Sequence, residues 1–179
     1  MTKHYSSGVI DVERPSSLFF KWDDEYHFTL DVCDTRNNHK VEAYFNIDLD
    51  AIVQSWAPKR CWMNPPYTKR EKKCKVPCTN KTCVKRGFHL DRDQYSTYDW
   101  VQKAVEEVQR GALVCALLPS MTDVAWFHDF IYNDETESYY SYIKRLVYIR
   151  GRLTFEGKKG KAPFGNMIVI MKCSSSDLI

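Results

Sequence analysis

The chain has 179 residues, 44% of them hydrophobic and 14% aromatic, which is enough apolar content to bury a core and excludes a disordered chain. No apolar run nears the roughly 20 residues of a membrane span, and the N-terminal stretch lacks the apolar centre of a secretory signal, so the expected setting is the cytoplasm. The net charge of +3 is too small by itself to indicate a nucleic-acid partner.

In chain order, Phe28 to Cys33 reads as a short apolar strand carrying Asp31 near its end. Val41 to Phe45 reads as a second strand, followed by Asp48 and Asp50. Arg60 to Met63 is a third, running straight into Asn64-Pro65-Pro66-Tyr67. The stretch from about 69 to 95 lacks periodicity and reads as an insert. Tyr98 to Arg110 carries Trp100, Val101, Ala104, Val105 and Val108 at helical spacing, with Gly111 as the stop. Ala112 to Leu118 is a continuous apolar run closed by Pro119, the pattern of a central strand buried on both faces. Asp123 is placed to cap a helix through Ile131. Tyr142–Ile149 and Asn166–Lys172 are the remaining strands. This alternation predicts an α/β fold, a mostly parallel sheet with helices on both faces. Ligands of such sheets sit at the carboxyl ends of the strands, where Asp31, Asp48 and Asn64 stand.

Asn64, Pro65, Pro66 and Tyr67 are the candidate catalytic residues. Two prolines fix the backbone and remove two N–H donors, so the loop offers acceptors without competing donors. The Asn64 side-chain oxygen and the Pro65 carbonyl suit both N–H groups of an exocyclic amine such as that of adenine. Acceptors there localise the nitrogen lone pair and disperse the charge that grows as an electrophile arrives. Tyr67 adds a flat ring on which an unstacked base can rest. The plain alternative is a rigid strand-to-loop turn.

The insert carries most of the charge asymmetry. From Lys69 to Arg92 there are nine Lys or Arg against Glu71 and Asp91, a local excess larger than the net charge of the whole chain. Such a segment can neutralise phosphates, or it can be a solvated loop. It also holds Cys74, Cys78, Cys83 and His89, a Cys3His set suited to structural zinc. A metal would supply the folding energy that so polar a segment lacks. His39, His27 or water are the alternatives to His89. Cys33, Cys61 and Cys115 lie in apolar runs as small hydrophobes, and the odd total of seven argues against a disulfide framework.

Six anchors in order give the chain a resemblance over about Pro15 to Lys172. They are Phe28–Cys33, Cys61–Tyr67, Leu117–Asp123, Trp126–His128, Arg150–Phe155 and Ala162–Asn166. It resembles the small phage-type DNA adenine N6-methyltransferases, relatives of Dam. The resemblance implies a Rossmann-like S-adenosylmethionine-dependent methyltransferase fold with an antiparallel last strand, occupying residues 1–179 as a single domain with a Cys-rich insert. It implies transfer of a methyl group to the N6 amine of adenine in DNA, in the cytoplasm of a bacterial host. Asp31, Cys33 and Asn64 fall on the implied cofactor side, with Asp48 as the acid for the cofactor ribose and Asp50 as its rival. Two departures stand out: Val32-Cys33-Asp34-Thr35 replaces a Gly-rich loop, and Met121 stands where the pattern has Arg. The competing functions are methylation of RNA adenine or of protein glutamine by the same loop, and a zinc-containing DNA-binding module without activity.

Overall fold

The fold is described by a computed structural model covering residues 16–33, 39–46, 48–75, 78–155 and 160–174. In chain order its elements are α1 (Ser16–Tyr26), β1 (Leu30–Asp31), β2 (Arg60–Met63), α2 (Lys81–Arg86) and α3 (Thr97–Gln109). These are followed by β3 (Leu113–Pro119), α4 (Ala125–Phe130), β4 (Tyr132–Asn133), β5 (Ser138–Tyr139), β6 (Ile143–Tyr148) and β7 (Asn166–Lys172). Asp34 and Thr35, in the segment that replaces a Gly-rich loop, lie outside the described residues.

The main sheet runs β1-β2-β3-β7-β6. β1, β2 and β3 are parallel. β7 is antiparallel to both β3 and β6, so β6 runs with the first three. The sheet is therefore mostly parallel, as the strand–helix alternation predicts, with the antiparallel last strand that the resemblance implies. β4 and β5 form a separate two-stranded hairpin.

The alternation of side chains along the strands divides the core in two. Cys61 and Met63, Val114, Ala116 and Leu118, and Met167, Val169 and Met171 share one core with Trp100, Val101, Ala104, Val105 and Val108 of α3 and Trp126 and Phe127 of α4. Their strand neighbours Trp62, Cys115, Leu117, Ile168 and Ile170 share the other with Phe19 and Trp22 of α1. Trp62 meets Phe19 edge-on at 5.5 Å and Phe28 at 5.5 Å. Helices thus cover both faces, which is why β3 reads as an unbroken apolar run. Burying each such side chain contributes roughly 1.5–3 kcal/mol. The sequence reading misses α1, although Phe19, Trp22 and Tyr26 stand on one helical face.

Three boundaries differ from expectation. The predicted strand over 28–33 pairs as a ladder only at Leu30–Asp31. The predicted strand over 41–45 contributes one parallel bridge, Asp31 to Tyr44, with the Asp31 amide donating to the Ala43 carbonyl at 3.0 Å. That segment sits beyond β1 at the sheet's edge, where only one flank has a partner. The N-cap of α4 is Val124, without a side-chain capping bond, so Asp123 lies one residue outside the turn it is expected to cap. By contrast α3 starts on a Ser96–Asp99 capping box, and Gly111 follows its end with φ 102°. None of the described helices is long and apolar enough to cross a membrane.

One buried charge ties α3 to the chain ahead of β2. Glu107 is fully buried. One carboxylate oxygen accepts from Lys103 Nζ at 2.6 Å and from Arg110 at 2.8 Å. The other accepts from the backbone amides of Trp56 at 2.7 Å and Ala57 at 3.1 Å. Burial pushes its pKa up, but the Lys103 ammonium and the two amides outweigh burial and hold it below the usual glutamate value. Glu107→Ala should destabilise the protein by about 3–5 kcal/mol in chemical denaturation, because Lys103 would lose its counter-charge in the core. A group with a depressed folded-state pKa adds stability above its unfolded value and loses it as pH falls through the folded one. Glu107→Gln should accordingly flatten the acid limb of the stability–pH curve; an unchanged limb would assign it to other carboxylates.

Candidate active site

β2 ends at Met63 and delivers Asn64, 7% exposed, to the carboxyl edge of the sheet. The register pairs Met63 with Ala116, so the loop from Asn64 crosses the last residues of β3. The Tyr67 hydroxyl lies 3.2 Å from Asn64 Oδ1 and 3.0 Å from the Leu117 carbonyl. It has one proton and can donate to only one of these acceptors at a time. Asn166 Nδ2 donates toward the same hydroxyl oxygen at 3.4 Å and toward the Leu118 carbonyl at 3.5 Å. Burial raises the Tyr67 pKa far above the usual tyrosine value, so the phenol is a neutral donor at pH 7. Its ring stands edge-on to Phe164 at 5.4 Å and Phe155 at 6.4 Å.

Pro65 is buried and Pro66 half-buried. The Pro66 carbonyl accepts from Thr68 N at 3.0 Å, closing a tight turn behind the motif.

On the neighbouring strand, Asp31 is fully buried, and its register partner is Trp62, two residues before Asn64. Its Oδ1 accepts from Cys33 N at 3.4 Å. Cys33 is half-buried and close enough to Tyr67 to raise that group's pKa slightly. Asp31, Cys33, Asn64 and Tyr67 thus share one edge. The two candidate ribose acids are treated differently. Asp48 is exposed in a turn that Asn46 organises by accepting from the amides of Asp48 and Leu49. Asp50 is half-buried and accepts from the Tyr95 hydroxyl at 3.0 Å. A shallow hollow lined by Tyr26, Arg60, Leu113 and Lys172 lies at the opposite, amino end of β2 and β3, away from all of these groups.

The insert springs from the residue after Tyr67. Its neck is closed by Thr68 Oγ1 donating to the Tyr95 carbonyl at 2.7 Å and by Glu71 and Gln94 exchanging backbone bonds at 3.0 and 2.8 Å. Beyond the neck, the potential ligand atoms of Cys74, Cys78, Cys83 and His89 all lie within 4.8 Å of one another. Cys74 and Cys83 sulfurs are 3.3 Å apart, and Cys78 and Cys83 sulfurs 3.6 Å. A tetrahedron with Zn–S bonds of 2.3 Å has edges of about 3.8 Å, so the sulfurs stand near the spacing of zinc ligands. The Leu90 amide donates to Cys74 Sγ and Arg86 to Cys83 Sγ, which suits thiolate character. His89 is the imidazole of this group. His39 instead stacks on Tyr44, and His27 follows α1.

Of the insert's basic residues, Arg70, Lys72, Arg86 and Arg92 pair with Asp99, Asp93, Glu71 and Asp91. Lys69, Lys73, Lys75, Lys81 and Lys85 are exposed and, among the described residues, form no ion pair. The sequence reading does not reach Asn166, Phe155, Phe164 or the Leu117 carbonyl as members of the site. The one local signal is a polar Asn166 heading the apolar run from Met167 to Met171.

The pattern of the family described as DNA N-6-adenine-methyltransferase (Dam) matches residues 10–178. A DNA N-6-adenine-methyltransferase of Haemophilus phage HP1 (strain HP1c1) is 37% identical over 41 residues, 23% of this chain and 24% of that protein. One of Escherichia phage T1 is 25% identical over 151 residues, 78% of this chain and 50% of that protein. The chain thus spans about a quarter and about half the length of these curated relatives.

Tyr67→Phe deletes the hydroxyl that bridges the Asn64 loop and β3 while keeping the ring. Chemical denaturation should register a loss of about 1–3 kcal/mol, since the Leu117 carbonyl loses its donor in a buried setting. No loss would mean that the hydroxyl bonds contribute nothing net.

Proposed function

Since the chain belongs to the DNA N-6-adenine-methyltransferase (Dam) family, we propose that it transfers a methyl group from S-adenosylmethionine to the N6 amine of adenine in DNA, in the cytoplasm of a bacterial host. In this reading residues 1–179 act as one methyltransferase domain. The observation that carries the reading is Asn64, nearly buried at the carboxyl end of β2 with the rigid Pro65-Pro66 turn behind it and the buried Asp31 on the next strand.

Asn64 Oδ1 and the Pro65 carbonyl accept the two N–H bonds of the adenine amine. Both acceptors sit on a backbone fixed by proline, so little reorganisation is needed as positive charge grows on N6. The base reaches them only after leaving the helix, and the wall of Tyr67, Phe155 and Phe164 gives it aromatic surface to replace lost stacking. The methylated nitrogen is acidic enough to release its proton to solvent, so no side chain is required as a strong base.

S-adenosylmethionine supplies an electrophilic methyl on a sulfonium. The acceptors at this edge suit it: the carboxylates of Asp31 and of Asp48 or Asp50 would accept from its amino group and ribose hydroxyls, and Cys33 and Asn64 would line the approach. The Asp50 carboxylate accepts a hydrogen bond from the Tyr95 hydroxyl.

Zinc fits the insert by the same test. Three thiols and an imidazole within 4.8 Å form a closed four-ligand set with no place for a substrate, the signature of a structural site. The five exposed lysines of the insert then face a phosphate backbone, and DNA is the partner they suit.

Asn64→Ala should lower the methylation rate roughly 100-fold while S-adenosylmethionine affinity by calorimetry stays near wild type. The product is read as N6-methyladenine in DNA from cells lacking adenine methylation. Methylated RNA or glutamine in place of DNA adenine, or a wild-type protein that binds DNA but no cofactor, would overturn the reading.

Protein purified without chelator should contain about one zinc per chain. Cys78→Ser should lose that zinc, weaken DNA binding and expose the insert to protease, with cofactor binding kept. Zinc near zero with freely titratable thiols would falsify the site.

A further inference from the structure

We infer that Asn166 is a positioning residue for methyl transfer, setting the Asn64 carboxamide through the Tyr67 hydroxyl. The inference rests on the adenine-methyltransferase reading above and adds a residue to its machinery.

β7 runs against β3, so its first residue, Asn166, pairs with the last residue of β3, Pro119. That is the edge at which Asn64 leaves β2. The junction is tight: the Ser120 amide donates to the Gly165 carbonyl at 2.9 Å. A Cβ at Gly165 would stand 2.5 Å from Ser120 Oγ. The start of β7 is therefore held against the end of β3 with no room to drift.

Asn166 is 1% exposed and heads a strand whose next five residues are buried apolar side chains. Its Oδ1 has no hydrogen-bond partner among the described residues. A buried amide oxygen left unpaired is unfavourable, and an apolar side chain would fill this place without that penalty. The amide's contacts run instead through Nδ2, to the Tyr67 hydroxyl at 3.4 Å and the Leu118 carbonyl at 3.5 Å.

The Tyr67 hydroxyl passes this contact on. Its single proton has two acceptors in reach, the Leu117 carbonyl at 3.0 Å and Asn64 Oδ1 at 3.2 Å. Donation from Asn166 into the phenol oxygen holds that oxygen between them. With the proton toward Asn64, the carboxamide is fixed in orientation before substrate arrives. With the O–H rotated toward Leu117, Asn64 Oδ1 is released to accept the adenine amine. Asn166 touches neither base nor cofactor in this scheme and acts only through Tyr67.

The test is a double-mutant cycle on Asn166→Ala and Tyr67→Phe, with kcat and KM measured on duplex DNA and cofactor affinity by calorimetry. Each single change should lower kcat roughly ten-fold, and the pair no further than the worse single, because both break one relay. KM and cofactor affinity should hold near wild type. Losses that multiply to roughly 100-fold, or that fall on KM or cofactor affinity, overturn the inference. Should Asn166→Ala melt early, Asn166→Ser keeps a small polar side chain and replaces it in the cycle.

Asn166→Asp gives a readout that packing alone would not move. A carboxylate only accepts, so it cannot donate into the phenol oxygen and takes the Tyr67 proton for itself, leaving that oxygen no longer held between Leu117 and Asn64; once protonated it can donate as the amide did. Its kcat relative to wild type should rise as pH falls, and a pH-independent ratio counts against the relay. A wild-type enzyme that methylates no adenine overturns the functional reading and this inference together. An active wild type with a multiplicative cycle overturns Asn166 alone.

Discussion

The direction of one strand organises this molecule. β7 enters antiparallel between β3 and β6, which otherwise run the same way. Pairing along all seven residues of β3 gives the sheet its centre, and the alternation of β7 side chains feeds both cores at once. The same reversal brings the amino end of β7 to the carboxyl end of β3. A parallel strand in that place would put its first residue at the opposite edge, and Asn166 would not meet Tyr67.

The two polar networks of the fold differ in kind. Around Glu107, charged donors and backbone amides lie at 2.6–3.1 Å and satisfy a carboxylate that burial alone would neutralise. That network anchors the loop ending at Trp56, whose indole in turn donates to the Ala51 carbonyl. It fixes how the chain returns from the acidic loop into β2. Around Tyr67 the bonds are neutral and longer, 3.0–3.5 Å, with one proton shared between two acceptors. The neutral network can exchange its one proton between two acceptors, whereas the ionic one makes a joint that stays closed.

The insert solves a different problem. Among its described residues only Cys83 and Leu90 are buried hydrophobics, so it has little core of its own. The backbone neck at Glu71 and Gln94 holds its base, and a capped six-residue helix presents Cys83 toward Cys74 and Cys78. Because the neck begins at Thr68, the insert's position is bound to that of Tyr67.

What the sequence determined by itself is what adjacency carries. Asn64, Pro65, Pro66 and Tyr67 are consecutive, β3 and β7 are continuous apolar runs, α3 is written in helical period with its own stop, and the three cysteines and His89 crowd within sixteen positions. Each of these is a local pattern, and local patterns survive without knowledge of the partner. Tertiary structure alone decided the rest. It brought His89, rather than His39 or His27, beside the three cysteines, tied Asp50 to Tyr95 and set Asp48 in an exposed turn organised by Asn46, moved the α4 cap from Asp123 to Val124, and reduced the edge segment over 41–45 to one bridge. It also joined Asn166 to Tyr67 across 99 positions of chain. Such pairings follow from strand order and register, and these are set by burying two faces of one sheet at once, a condition on the whole chain that no single segment records.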